Sequence, residues 1–343
     1  MRPIMRCFSV LLAVFTVGLC GCGKNSDKKT TKPASKSVEP PPSHVVAMVN
    51  ATPLTWGEMD KRAMGYLKDD VDTNHLIIPS NRLDEAKEYF RRRSINAFVF
   101  KTVMLDEAVK QNVRLTDNDR QESLKNLAAS LRARNWTTND FFLKGPMGEA
   151  AMRREFDDGM IIDKLLKLKV RTALRLDDKE ITQAIELIGA TNDLKRVKLE
   201  SVRKQLLEGA NFEDVARNVS EDASAQKGGD LGEFARGKMV KQFDDAAFTQ
   251  KVGAIGPIVE TRFGYHIIKV TAHTPAQAAT ASTPAIPETV RASHILIKRI
   301  PVDRKQITDS LLRTKYNAAV QKYFCELKAK SQIACFLYKD MTF

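Results

Sequence analysis

Between residues 82 and 113 the apolar positions Phe90, Ile95, Phe98, Val99, Val103 and Leu105 recur at spacings of three and four, which predicts an amphipathic helix with room for a kink or break. Ahead of it, the apolar run Val45 to Val49 reads as a strand and Asn50-Ala51-Thr52-Pro53 as a turn. Thr55-Trp56-Gly57-Glu58 then opens a helix, because threonine with glutamate three positions later can satisfy two amide groups at a helix start. Further helices are expected at about 117 to 133, 138 to 144, 147 to 172 and 177 to 188. Leu199, Val202 and Leu206 place another over 195 to 208, stopped by Gly209, and Asn211 caps a short helix carrying Phe212, Val215 and Val219. From residue 220 the pattern changes. A glycine-rich turn enters a strand near Leu231, a helix covers 237 to 248, and Phe263 to Val270 and Val290 to Lys298 read as strands. Residues 305 to 331 form a last helix with Ile307, Leu311, Leu312, Tyr316, Val320 and Phe324 towards one side, before a closing strand at Ile333 to Tyr338.

Two stretches lack residues that could pack. Residues 23 to 44, rich in Lys, Ser, Thr and Pro, read as a tether, and 271 to 288, rich in Ala, Thr and Pro, as a linker. Arg2 and Arg6 followed by apolar Phe8 to Leu19 have the form of a signal peptide, since a membrane span needs about 20 apolar residues. Leu19-Cys20-Gly21-Cys22-Gly23 is similar to a bacterial lipobox, with Cys22 after small Gly21 as the lipidation site and Cys20 excluded by bulky Leu19. The expected division is a signal peptide (1–21), a lipid-anchored linker (22–44), a helical domain (45–190), a second domain (191–270), a linker (271–288), a displaced strand (289–300), and a C-terminal helix and strand (301–343).

The chain of 343 residues carries a formal charge of +13, and loss of the signal removes two arginines and no acid. A basic exported protein meets anionic lipid, wall polymer or acidic clients before nucleic acid, and no nucleic-acid motif is present. Of the cysteines, Cys325 and Cys335 remain as a disulfide or as two thiols, a choice that spacing leaves open.

Three blocks carry a specific pattern: Gly228-Gly229-Asp230-Leu231-Gly232, Gly237-Lys238-Met239-Val240-Lys241-Gln242-Phe243, and Phe263-Gly264-Tyr265-His266-Ile267-Ile268. In this order, over about 75 residues, they resemble the parvulin family of peptidyl-prolyl isomerases. The strand that opens that family's domain, similar to Ala-Ser-His-Ile-Leu, is missing before residue 194 and occurs instead as Ala292-Ser293-His294-Ile295-Leu296. The expectation is a circularly permuted domain in which 291 to 298 pair antiparallel with 264 to 271 mid-sheet, the rival being a truncated domain plus the remnant of a second. Val45 to Thr55 resembles the start of the chaperone domain in the SurA and PrsA class of exported foldases, in which the C-terminal tail rejoins the N-terminal domain. The implied fold class is α+β: a helical N-terminal chaperone domain plus a parvulin-like domain with a four-stranded, mostly antiparallel sheet flanked by helices.

The isomerisation needs no cofactor and no covalent intermediate. Amide resonance sets a barrier of about 18 to 20 kcal/mol, so a catalyst must favour the twisted, less conjugated bond. The resemblance implies Leu231, Met239, Phe243 and Phe263 as substrate-binding residues and His266, His294, Asp222 and Thr261 as the polar cluster beneath the isomerising peptide. Taken as structure alone, the two histidines would be a buried hydrogen-bonded pair ordering the sheet. They have no Cys or His partners at metal-site spacing, so no metal is expected. The expected partners are unfolded or proline-containing exported polypeptides and, through the N-terminal lipid, a membrane, with the periplasmic face of the outer membrane as the expected location. The alternative function is a non-enzymatic holdase that keeps the fold as a peptide-binding module.

Overall fold

The computed structural model of the chain describes residues 39–74, 76–145, 147–279, 284–341 and 343. The signal segment and Cys22 lie outside the described residues. The elements begin with β1 (Val45–Val49), β2 (Thr52–Thr55), α1 (Trp56–Asn74), α2 (Leu83–Lys110), α3 (Asp117–Leu131), α4 (Thr138–Lys144), α5 (Glu149–Lys169), α6 (Asp178–Leu207) and α7 (Phe212–Val219). They continue with β3 (Asp230–Ala235), α8 (Lys241–Thr249), β4 (Ile255–Thr261), β5 (Gly264–Thr274), β6 (Thr289–Lys298), α9 (Arg304–Lys328) and β7 (Ile333–Cys335). They fall into two compact units, one holding the described residues up to Arg175 with those from Leu312 onward, the other those of Leu176–Leu311. None of the described helices is long and apolar enough to cross a membrane.

In the first unit a small sheet of order β2-β1-β7 joins the first described strands to the last, with Ala47 opposite Cys335 and Val49 opposite Ile333. Asn50, with φ of 51°, makes the turn after β1; its side chain donates to Asp106 at 2.6 Å and accepts from the Gln332 amide at 2.9 Å. α2 runs unbroken and buries Ile95, Val99 and Met104 against Ile162 and Leu165 of α5 and Val320 and Phe324 of α9. The Thr55 and Glu58 pair caps α1 as its spacing predicts, with contacts of 3.3 and 3.4 Å. Cys325 and Cys335 are both free thiols.

Three expectations are corrected. The end of the tether is not loose: the Trp56 amide donates to His44 O at 2.7 Å and the Gly57 amide to Pro42 O at 3.0 Å, so its carbonyls satisfy amides that α1 leaves open at its start. The helices expected at 177–188 and 195–208 are one helix of 30 residues, α6, which lies in the second unit instead of ending a first domain at 190. Gly189 does not break it, and just beyond it Asn192 is buried and exchanges hydrogen bonds of 3.0 and 2.8 Å with the Ile300 backbone. Finally, β5 and β6 are sheet neighbours, and the described part of the expected linker at 271–288 extends their pairing. Pairing continues to Thr274 with Thr289, and Gln277 and Ile286 exchange backbone bonds of 2.9 and 3.0 Å.

The second unit is built on a fully antiparallel sheet of order β3-β6-β5-β4. Strand alternation sends Tyr265, Ile267, Ile295 and Ile297 to one face, against Leu199, Val202 and Leu206 of α6 and Phe212 and Ala216 of α7. Ile268, Val270, Val290 and Ala292 face the other way, against Phe243, Ala247 and Phe248 of α8 and Phe234 of β3. Covered on both sides, the two central strands have few polar positions, and each buried Val, Ile or Leu there contributes about 1.5 to 3 kcal/mol of transfer free energy.

Candidate active site

Two polar side chains interrupt the apolar face beneath α8. His266 on β5 lies opposite Leu296, and His294 on β6 opposite Ile268, so the histidines are diagonal neighbours on one face. Their Nδ1 atoms are 3.2 Å apart and the rings stack at 22°. Both are buried, at 4% and 5% exposure. Thr261, at the end of β4 on the same face, puts Oγ1 at 2.8 Å from His266 Nε2 and accepts the Phe263 amide at 3.1 Å. At the other end, Asp222 Oδ1 lies 3.2 Å from His294 Nε2, close but not along the ring N–H direction.

These contacts select a direction for the protons. Burial pushes His266 down to about 4, helped by His294 and opposed by Asp222. It also lowers His294, against the raising effect of Asp222. Burial acts to raise the Asp222 carboxyl, but hydrogen bonds from the Ser224 side chain and amide, with the nearby His294 ring, outweigh it and hold the group well below the carboxylate range. Near neutral pH, therefore, two neutral rings meet a carboxylate. A carboxylate only accepts, so His294 carries its proton on Nε2 and presents a bare Nδ1 to the Nδ1–H of His266. His266 Nε2 is then the acceptor for the Thr261 hydroxyl. With these tautomers the hydrogen-bonded run is Thr261 to His266 to His294, and Asp222 stands beside His294 Nε2 as a facing charge without an aligned hydrogen bond.

Phe243 of α8 closes the cluster, its ring edge-on to both imidazoles at 5.4 and 5.6 Å. Leu231, Met239, Val240 and Val259, partly buried, pack on the same cluster as Phe243. Phe263 does not join them; it is 51% exposed on the β4–β5 turn, under the Arg262 guanidinium at 4.8 Å. Gly229, with φ of 82°, brings the turn against β6: its carbonyl accepts the His294 amide at 2.9 Å, and a Cβ there would run into the His294 carbonyl oxygen. No group of three His, Cys, Asp or Glu among the described residues is arranged to hold a metal.

Two contributors escaped the sequence reading. Ser224 donates to Asp222 Oδ1 from its hydroxyl at 2.6 Å and its amide at 2.9 Å, and the Asp-x-Ser spacing at the head of a turn is the signal that could have found it. Asp244, buried on α8, accepts the Gly237 amide at 3.0 and 3.1 Å and so holds the loop that carries Met239. Its position in a helix has no such signal.

Residues 179–274 match the family described as PPIC-type PPIASE domain, a span that ends before β6. The chain is 23% identical over 345 residues to the foldase protein PrsA of Caldanaerobacter subterraneus, covering 96% of each chain. It is 32% identical over 208 residues to the foldase protein PrsA of Geobacillus sp., covering 58% of this chain and 72% of that one. It is 47% identical over 87 residues to the peptidyl-prolyl cis-trans isomerase Pin1 of Arabidopsis thaliana, covering 25% of this chain and 73% of that one.

Proposed function

Since this chain belongs to the PrsA foldase family and carries a PPIC-type peptidyl-prolyl isomerase domain, we propose that Asp222, Thr261, His266 and His294 are its catalytic residues and that Leu231, Met239 and Phe243 seat the proline ring. The protein is a peptidyl-prolyl isomerase that assists the folding of other proteins. The observation that carries the site assignment is the buried run of Thr261, His266 and His294, hydrogen-bonded in sequence and flanked by the Asp222 carboxylate, lying under Phe243. A planar prolyl amide is strongly polar, and its twisted form, with conjugation lost, is less so. An apolar wall of Phe243, Leu231 and Met239 therefore favours the twisted form, and the ordered, neutral histidines give the floor beneath it a fixed shape and polarity.

This mechanism requires a neutral His266, which fixes the pH dependence. The rate on a short prolyl peptide is constant above about pH 6 and falls as the medium approaches pH 4, where His266 gains a second N–H and can no longer accept from Thr261. Stability moves in the same direction. The folded ring titrates below its unfolded value of 6.5, so the stabilisation is complete above that value and is lost as pH falls through about 4. A pH series of the protease-free isomerisation assay tests both the activity and the histidine. A rate that persists unchanged well below pH 4 removes His266 from the site, and no acceleration at any pH by wild-type protein leaves the holdase function.

β6 stands for the strand that opens the family's domain, supplied here from the C-terminal side; its support is the central place of β6 in the sheet beyond the matched span. The helical unit holds unfolded client chains. The protein is exported and anchored by lipid on Cys22, facing the periplasm from the outer membrane where two membranes exist; Gly21 before Cys22 supports this. Mass spectrometry of the native N-terminus is expected to find acylated Cys22, and an unmodified N-terminus elsewhere excludes the anchor.

A further inference from the structure

On its β3 side, β6 has a strand neighbour only as far as Ser293, which pairs with Asp230. Beyond it, the edge of β6 is taken by the segment between α7 and β3. The His294 amide donates to Gly229 O at 2.9 Å, the Leu296 amide to the Ser220 hydroxyl oxygen at 3.1 Å, and the Lys298 amide to Glu221 Oε2 at 2.9 Å, while Leu296 O accepts the Glu221 amide at 2.8 Å. Residues 294, 296 and 298 are alternate positions, whose backbone groups leave the strand on one side. Two side chains thus stand where a neighbouring strand would offer carbonyls.

We propose that Ser220 and Glu221 are positioning residues of the isomerase site, acting as a surrogate strand partner for β6 and thereby fixing Asp222 against His294. This rests on the assignment of Asp222 and His294 to that site. Asp222 is the next residue after the clamp, and two residues later Ser224 grips its Oδ1, so the carboxylate is held from both sides. Ser220 is itself held by its amide, which donates to Ala216 O at 3.0 Å at the end of α7. The two side chains do not count equally. Leu296 is buried, so its amide has no water to replace the Ser220 hydroxyl, whereas Lys298 is exposed and water can stand in for Glu221. Ser220 carries the larger share.

The test compares Ser220→Ala with Ser220→Thr in the full chain, by kcat/KM on a prolyl tetrapeptide and by NMR titration of the His266 and His294 rings. Alanine leaves a buried amide unpaired and is expected to lower kcat/KM about tenfold, with threonine restoring most of the loss. Asp222 raises the titration of both rings, so freeing the carboxylate shifts both to lower pH in the alanine variant. Unchanged titrations in Ser220→Ala, or an equal loss in both variants that tracks the folded fraction, overturn the positioning role. If wild-type protein does not accelerate isomerisation, the assignment of the site fails, and the titrations alone then decide whether Ser220 sets the carboxylate against His294.

Discussion

Ile295→Asp unfolds the second unit and abolishes isomerase activity, while the first unit keeps its own melting transition. Ile295 is fully buried in β6, opposite Ile267, and packs into the cluster formed with Leu199, Val202 and Leu206. Even Ile295→Ala is expected to cost about 2 to 5 kcal/mol, the usual range for such truncations in a core. Aspartate adds the burial of a carboxylate among aliphatic side chains, a penalty of several kcal/mol more. Set against a domain stability of about 5 to 15 kcal/mol, that is enough to unfold the unit. Limited proteolysis is the measurement: the segment 176–311 becomes susceptible, and the fragments bearing 39–175 and 312–343 persist. Full activity and wild-type resistance in Ile295→Asp would mean that β6 is dispensable, and with it the proposed role of His294.

Phe243→Ala lowers kcat/KM on a short prolyl peptide about a hundredfold, equivalent to ~2.7 kcal/mol of transition-state stabilisation. Phe243 touches both histidine rings and lies 6.3 Å from Phe234, so its loss opens the proposed pocket and lets water reach the hydrogen-bond chain. The same truncation is expected to destabilise by about 3 to 5 kcal/mol through the cavity it leaves, which alone could lower activity. Phe243→Leu separates the effects: it refills much of the volume, restoring stability, but lacks the flat ring against the imidazoles. Its kcat/KM is expected to fall about tenfold with the melting temperature close to wild type. Activity of both variants measured at a temperature where each is folded checks this, and wild-type rates in folded Phe243→Ala would place the proline elsewhere. Suppression of client aggregation should remain in both, since the helical unit is untouched.

The alternation in Tyr265 to Val270 and in Ala292 to Ile297 was enough to sort side chains between two faces, which put each histidine on an apolar face before any pairing was known. The resemblance carried by the three motif blocks likewise pointed to Asp222, Leu231, Met239, Phe243 and Thr261, all within one segment. Phe263, which the resemblance implied beside them, stands half exposed on the β4–β5 turn and outside the cluster under α8. Local periodicity also located most helices, but it could not tell one helix from two across Gly189, where the tertiary contact is made by buried Asn192, which exchanges hydrogen bonds with the Ile300 backbone.

What only the tertiary structure decided is register. The alternation allows His266 and His294 to be directly opposite or diagonal, and the sheet makes them diagonal, with Gly264 closing so tightly on β6 that a Cβ would meet the Ile297 carbonyl oxygen. The contact of Asp222 with His294 depends in turn on Ser220 and Glu221 reaching β6, side chains far apart along the chain from the amides they satisfy. The Pro42 carbonyl that caps α1 and the hairpin that runs past Val270 are of the same kind. A residue's own apolar or polar character acts locally and can be read in order along the chain. Which distant backbone group it meets is set by the free energy of the whole sheet, where one step of slip turns every buried side chain outward.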